Sequence, residues 1–397
     1  MNYISDNESN KNKLLERFVQ YVKIWSESDE ESAEKGVFPS TERQFDLAKV
    51  LERELKELGL QNVQVTKDCY VYGFLPGNLD NKNTDPILLL AHMDTTQEVS
   101  GKNVKPQLKK VNQENESDII ITSDGTTLLG GDDKAGVAAI MSTAAFFVEN
   151  PKIKHRPLEI IFSPDEETGH GMDKVPLKLI KSKCAYTVDG GNLGEMETEC
   201  FNAWSASITF TGKATHTGYA KQGGMVNANV MASAFVTALP RHKAPETTEK
   251  YEGFIAPMKI SSTIESATVD LLLRSFTIEE IEQEKQIIKN IARSVESSFG
   301  GKVKVTFKQQ YLNMKEKMDQ QPEVVSRLKK AYTDAGVEII QNPIRGGTDG
   351  SRLTEMGIPT PNIFTGAHEI HSRNEWVSLN QMSKAADVLI NLLSQIE

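Results

Sequence analysis

From Pro86 to Ala91 the chain reads Pro-Ile-Leu-Leu-Leu-Ala, and the next three residues are His92-Met93-Asp94. A strand with one wet face alternates apolar and polar residues. An unbroken apolar run that ends on ionisable residues fits a strand buried on both faces, as in a parallel sheet covered by helices. Leu158–Phe162 and Ala185–Val188 have the same character. Around them lie amphipathic helical stretches at about Leu14–Ile24 and Thr41–Leu58, the second stopped by Gly59, and an Ala- and Met-rich helix at Asp133–Val148. Strand and helix alternate through this half, which predicts an α/β domain.

The pattern changes near Trp204. Ser205–Phe210 alternates like a half-exposed strand, a Gly-rich loop spans Gly218–Gly224, and a helix is expected over Val226–Leu239. Strands at Phe254–Ser262 and Ser266–Leu273, a helix at Ile278–Ser298 and a strand at Lys302–Phe307 complete a β-α-β-β-α-β order. That is the order of a ferredoxin-like unit. The α/β rhythm returns from about Gln321. The expectation is an α/β domain of residues 1–203 and 313–397, with a small α+β domain, residues 204–312, inserted into it. Two domains suit 397 residues.

A net charge of −10 argues against nucleic acid and against anionic membranes, which both call for clustered basic residues. No apolar run approaches the roughly 20 residues of a spanning helix. Met1–Lys13 is polar and mixed in charge, so a secretory leader is not expected there. Cys69, Cys184 and Cys200 are too widely spaced for a zinc knuckle and odd in number for a disulfide framework. The expected compartment is the cytoplasm.

In an open parallel sheet, sites form beyond the carboxyl ends of the strands. His92-Met-Asp94, Asp165-Glu166-Glu167 and Asp189-Gly-Gly each follow one of the buried strands directly. His371 follows Pro361–Phe364 across a short loop, and Asp132-Asp133 opens the helix at 133–148. Singly, each has an ordinary explanation: Asp132-Asp133 could cap its helix, and Asp189-Gly190-Gly191 could be a turn. Together they bring His and carboxylate to one edge of one sheet. Two imidazoles and three carboxylates, one of them shared, would hold two divalent cations and leave room for water. The donors suit zinc, with cobalt or manganese as alternatives.

These residues lie in stretches that resemble the peptidase T family. Its members are tripeptide aminopeptidases in a superfamily of dizinc hydrolases that also holds carboxypeptidases, dipeptidases and aminoacylases. The matching stretches include Ala91-His-Met-Asp-Thr95, Asp124–Gly136, Ser163-Pro-Asp-Glu-Glu167, Ala185–Gly191, Arg345-Gly-Gly-Thr-Asp-Gly350 and Pro361–Gly366. The resemblance implies that His92 and Asp189 hold one metal, Glu167 and His371 the other, and that Asp132 bridges them. It implies that Asp94 orients His92, that the Asp132–Asp133 peptide bond is cis, and that Glu166 is the general base. His216, within Lys213–Gly218, would reach a partner subunit's site to steady the oxyanion, which implies a homodimer through the inserted domain. Arg274 and Arg345 would bind the carboxylate of a short peptide, and Asn227 would join them at the substrate. The activity implied is release of the N-terminal residue from unblocked tripeptides. A dipeptidase, carboxypeptidase or N-acyl amino acid hydrolase is the alternative, and an inactive peptide-binding homologue is a third reading.

The chain departs from the family in three places. It is short between Gln107 and Asp124, on the rim where tripeptide length could be enforced. Ser275 follows Arg274 where the family usually has Asp. In Gly366-Ala-His-Glu-Ile-His371, His368 competes with His371 as last ligand. The family's spacing favours His371.

Overall fold

The computed structural model describes residues 1–81, 84–113 and 116–395. Residues 114 and 115, inside the shortened Gln107–Asp124 stretch, and the last two of the 313–397 segment lie outside the described residues. The chain forms two compact units. One is Met1–Thr198 with Met314–Asn342 and Thr348–Glu397; the other is Glu199–Asn313 with Pro343–Gly347.

The first unit is built on a seven-stranded sheet in the order Gln61–Val65, Val71–Leu75, Leu158–Ser163, Ile87–His92, Ala185–Gly190, Asn362–Phe364, Met196–Glu197. The four middle strands are parallel, and the outer ones pair antiparallel. Every residue of Ile87–His92 and Leu158–Ser163 is buried. Successive side chains of a strand point to opposite faces. Leu89 and Ala91 accordingly join a cluster with Phe18, Val137 and Leu389, while Leu88 and Leu90 join another with Tyr70, Ile161 and Leu353. Both faces are dry, so the strand has no polar alternation. Each such Leu contributes about 1.5–3 kcal/mol through its burial.

The helix Gly131–Glu149 packs against the sheet and against helices Glu8–Val22 and Leu379–Leu393, and is buried almost throughout from Gly131 to Phe147. Its apolar residues therefore go all round, with no polar face. Helix Glu8–Val22 begins before the expected Leu14 because Asn7 caps it, accepting from the Asn10 N–H at 3.2 Å. A second sheet, without a clear mark in the sequence, joins this unit. It is antiparallel, in the order Ala367–His368, Trp376–Ser378, Glu116–Thr122, Gln107–Gln113.

The second unit carries four antiparallel strands in the order Phe254–Ser262, Ser266–Ser275, Asn202–Thr211, Lys302–Tyr311, with helices Ala228–Ala238 and Ile278–Phe299 packed on them. This is the ferredoxin-like arrangement expected. The domain limits differ in detail: Glu199–Ala203, Asn313 and Pro343–Gly347 cluster with this unit, and the last of these is the farthest from the expected limits. Pro343–Gly347 is drawn there by Arg345, which donates to the carbonyls of Lys250 and Glu252 and lies over the Phe201 and Phe254 rings. Among the described residues no helix is long and apolar enough to cross a membrane.

Candidate active site

Strand ends build the site. His92 closes the strand Ile87–His92, and Asp189 sits at the end of Ala185–Gly190 with its N–H given to Asn362 Oδ1 at 3.1 Å. Beyond Leu158–Ser163 the chain turns at Asp165, in the left-handed region (φ 56°), into the short 3-10 turn Glu166–Thr168. The buried Asp165 carboxylate is held there by Ser40 and Gln44. Asp132 and Asp133 are joined by a cis peptide bond at the non-helical start of their helix, and His371 lies in the loop after Ala367–His368.

Asp132 is central to the arrangement. Its Oδ1 is 2.9 Å from His92 Nε2 and its Oδ2 is 3.3 Å from His371 Nε2. His92 Nε2 also lies 3.5 Å from Asp189 Oδ1, and His371 Nε2 lies 2.9 Å from Glu167 Oε2. One carboxylate thus spans two imidazole–carboxylate pairs. His92, Asp132 and Glu167 offer ligand atoms within 4.8 Å of one another, and so do His92, Asp133 and Asp189. Asp133 is nonetheless committed elsewhere. Its oxygens accept from the backbone N–H groups of His92 (3.1 Å) and Gly136 (3.2 Å), the second being the cap of its own helix. His368 is committed too, 3.0 Å from Gln381 Oε1 and stacked on Trp376.

Behind these groups lies a layer of buried anions that hold backbone. Asp94 accepts from the N–H groups of Glu166 and Glu167, at 3.0 and 3.2 Å. Its carboxylate is 3.4 Å from His92 Nδ1, farther than its own carbonyl at 3.1 Å. Asp94 therefore orients the acidic turn at least as much as the imidazole. Glu375, 1% exposed, takes the N–H groups of Leu129 and Gly130 at 2.7 Å each and that of Asp132 at 3.1 Å. It fixes the loop that carries Asp132. Glu98 Oε2 stands 3.6 Å from His371 Nδ1, on the side of the ring away from Glu167. Sequence reasoning gives no role to Glu375 or Glu98.

The electrostatics test whether cations fit. Burial pushes Glu167 up to about 7 and Asp189 up to about 6, and raises Glu166 well above the usual carboxylate range. Hydrogen bonds to Asp132 and Glu167 hold the His371 imidazole up to about 11. Buried carboxylates crowded this closely are costly unless positive charge accompanies them. Two divalent cations among His92, Asp132, Glu167, Asp189 and His371 would supply that charge through hard oxygen and imidazole donors. The residues present fit. A cleft of about 230 Å³ opens beside Asp132 and Asp189.

His216, Asn227, Arg274 and Arg345 belong to the second unit. His216 is exposed and takes the Gly218 N–H on Nδ1 at 3.1 Å. Asn227 caps the helix Ala228–Ala238, its Oδ1 accepting from Asn229 N–H at 3.0 Å. Arg274 gives Nη1 to the carbonyls of Trp204 and Leu273 and lies over the Tyr311 ring. Arg345 uses Nη1 on the Lys250 and Glu252 carbonyls and Nη2 on Thr248. Ser275, where the family usually has Asp, donates to the buried Glu284 at 2.8 Å.

Residues 88–395 match the model of peptidase family M20/M25/M40. A peptidase T from Clostridium perfringens is 42% identical over 403 residues, covering 96% of this chain and 98% of its own length. The crystal structure of a tripeptidase from Staphylococcus aureus superimposes with a TM-score of 0.79 at 23% identity, over 97% of this chain and 98% of that one. A dinuclear metal-binding M20 peptidase from Bacillus subtilis gives a TM-score of 0.68 at 13% identity, over the same 97% and 98%. At these identities the two structures bear on the fold.

Proposed function

The chain belongs to the peptidase T family within the M20/M25/M40 peptidases, and from that membership we propose that it is a two-metal aminopeptidase releasing the N-terminal residue of unblocked tripeptides. The observation that carries the reading is Asp132, whose two oxygens face His92 and His371 separately. We assign one cation to His92 and Asp189, the other to Glu167 and His371, and the bridge to Asp132. Zinc suits this donor set best, with cobalt or manganese able to replace it.

When bound, the cations supply Lewis acidity at the scissile carbonyl and make the attacking water more acidic. Glu166 takes the water's proton and returns it to the leaving amine. Asp94 keeps Glu166 and Glu167 in register by gripping both backbone N–H groups, so base and ligand cannot drift apart independently. His216 of the partner subunit steadies the oxyanion, which makes a homodimer through the inserted domain part of the proposal. Arg274 takes the peptide's C-terminal carboxylate, and Asn227 is assigned to the substrate as well. Arg345 is assigned to the same carboxylate, and its Nη groups also hold the Thr248–Glu252 loop. A cytoplasmic location suits a peptide-degrading enzyme with no disulfide among its described residues.

A substrate panel run on the sedimenting dimer tests the reading. Free tripeptides should be hydrolysed and N-acetylated or longer peptides refused. A chelator should remove activity and added divalent metal should restore it. Preferential hydrolysis of N-acyl amino acids or dipeptides would favour the other branches of the superfamily.

A second expected outcome concerns Glu375. Glu375→Gln exchanges a charged acceptor of three amides for a neutral one that accepts through one oxygen. Metal affinity should fall about 10–100-fold, as is usual when a group supporting a ligand is lost. Competition against a chromogenic chelator measures it, and unchanged affinity would remove Glu375 from the support of Asp132.

A further inference from the structure

The cleft beside the metal cluster contains one acidic group that the mechanism leaves unused. Its walls are Asp132, Asp189, the turn Gly190–Asn192, Thr365 and the segment Ala367–Ile370. At about 230 Å³ it is smaller than the roughly 300–1,000 Å³ typical of drug-sized ligands, a size for one residue and not for a whole peptide. Of the three acidic groups in its lining, Asp132 and Asp189 face His92. Glu369 is exposed, and the close contacts of His92 and His371 are made by other carboxylates. His368, the other ionisable group in the lining, is held by Gln381 and Trp376. Glu98, the nearest acidic alternative beside His371, is not part of the lining.

An α-ammonium delivered next to two divalent cations meets like charge. It needs an anion that the metals have not already neutralised, and in this cleft that anion is Glu369. Apolar surface is supplied by Ala367 and by Ile370, which is 46% exposed. Gly191 lines the cleft without a side chain; an added Cβ would already stand 3.2 Å from Glu195 Oε2 and 3.6 Å from the Ala367 carbonyl oxygen, so a larger residue there crowds this side. We propose that this cleft seats the substrate's N-terminal residue, with Glu369 pairing to its α-ammonium and Ala367 and Ile370 contacting its side chain. The inference rests on the aminopeptidase reading and deepens it, because it names the group that tells a free amino terminus from a blocked one.

The test is calorimetric titration of metal-loaded Glu166→Gln protein, which binds without turning over, with Ala-Ala-Ala, N-acetyl-Ala-Ala-Ala and Leu-Ala-Ala. The preference for the free over the acetylated peptide should shrink about 10–100-fold when Glu369→Gln is added, the range of a charge-assisted hydrogen bond. Adding Gly191→Val instead should weaken Leu-Ala-Ala about tenfold more than Ala-Ala-Ala. An unchanged free-to-acetylated ratio in Glu369→Gln, or equal losses for both peptides, overturns the assignment of the ammonium. Equal losses for Leu-Ala-Ala and Ala-Ala-Ala in Gly191→Val overturn the assignment of the side chain. Failure of the unsubstituted enzyme to hydrolyse Ala-Ala-Ala would instead sink the aminopeptidase reading, and the binding ratios would still decide whether Glu369 reads an ammonium.

Discussion

Glu166→Gln should lower turnover of a free tripeptide by about 10²–10⁴-fold while the protein keeps its full complement of metal. Two features separate the effects. The close contacts of His92 and His371 are with Asp132, Asp189 and Glu167, so loss of the Glu166 carboxylate removes no residue from the set His92, Asp132, Glu167, Asp189 and His371. What fixes the residue is its backbone N–H on Asp94, and a glutamine keeps that bond. The carboxylate is also well placed to hold a proton. Burial raises it well above the ordinary range against the opposing pull of His92, and Asp189, Asp349 and Glu167 add to the rise. A glutamine cannot accept and return that proton. The KM should move little, because the loss falls on the chemical step. Metal analysis beside steady-state kinetics measures both quantities on one preparation. Turnover above about one percent of the unsubstituted enzyme at equal metal content would mean that the proton goes elsewhere. Glu167→Gln, one position along, should behave differently: it removes a group 2.9 Å from His371 Nε2 and should cost metal as well as rate.

The neighbouring pair shows how far the sequence could be read. Strands such as Ile87–His92 were legible because burial on both faces leaves a mark that needs no partner to interpret. The ionisable residues at their ends were legible for the same reason, since a parallel sheet presents its carboxyl edge to whatever follows. The hairpin of Gln107–Gln113 and Glu116–Thr122 left a weaker mark, the three-residue run Ile119-Ile120-Ile121 on its second strand alone. Residues Leu108 to Lys110 are exposed, so neither alternation nor an apolar run announces the strand. Glu375 was hidden by distance along the chain. Its three amide partners lie 246, 245 and 243 positions away, and an isolated Asn-Glu-Trp reads as surface loop. The same limit left His368 and His371 open, because spacing alone does not say that Trp376 stacks under one of them. Asp94 stands against the imidazole, 3.4 Å from His92 Nδ1, but it also takes the Glu166 and Glu167 amides, and such backbone partners are invisible to any motif.

Asp132→Asn should reduce bound metal from two ions per chain towards one or fewer and lower turnover by at least about 10²–10³-fold. The geometry sets the expectation. Asp132 presents Oδ1 to the His92 side and Oδ2 to the His371 side, and an asparagine can offer an oxygen to only one of them. The other side would meet an NH₂ group, which donates and cannot ligate. Glu375 would still hold the backbone of residue 132, so the loop should stay in place and the loss should fall on the cations. The readout that isolates the bridge is thermal unfolding with and without chelator. In the unsubstituted protein, metal binds the folded state and chelation should lower the midpoint. In Asp132→Asn that chelator-dependent difference should shrink in step with the metal content, whereas in Glu166→Gln it should persist unchanged. Two ions per chain and full turnover in Asp132→Asn would assign the bridge to another carboxylate, and Asp133 would then have to leave the amides of His92 and Gly136 to take it.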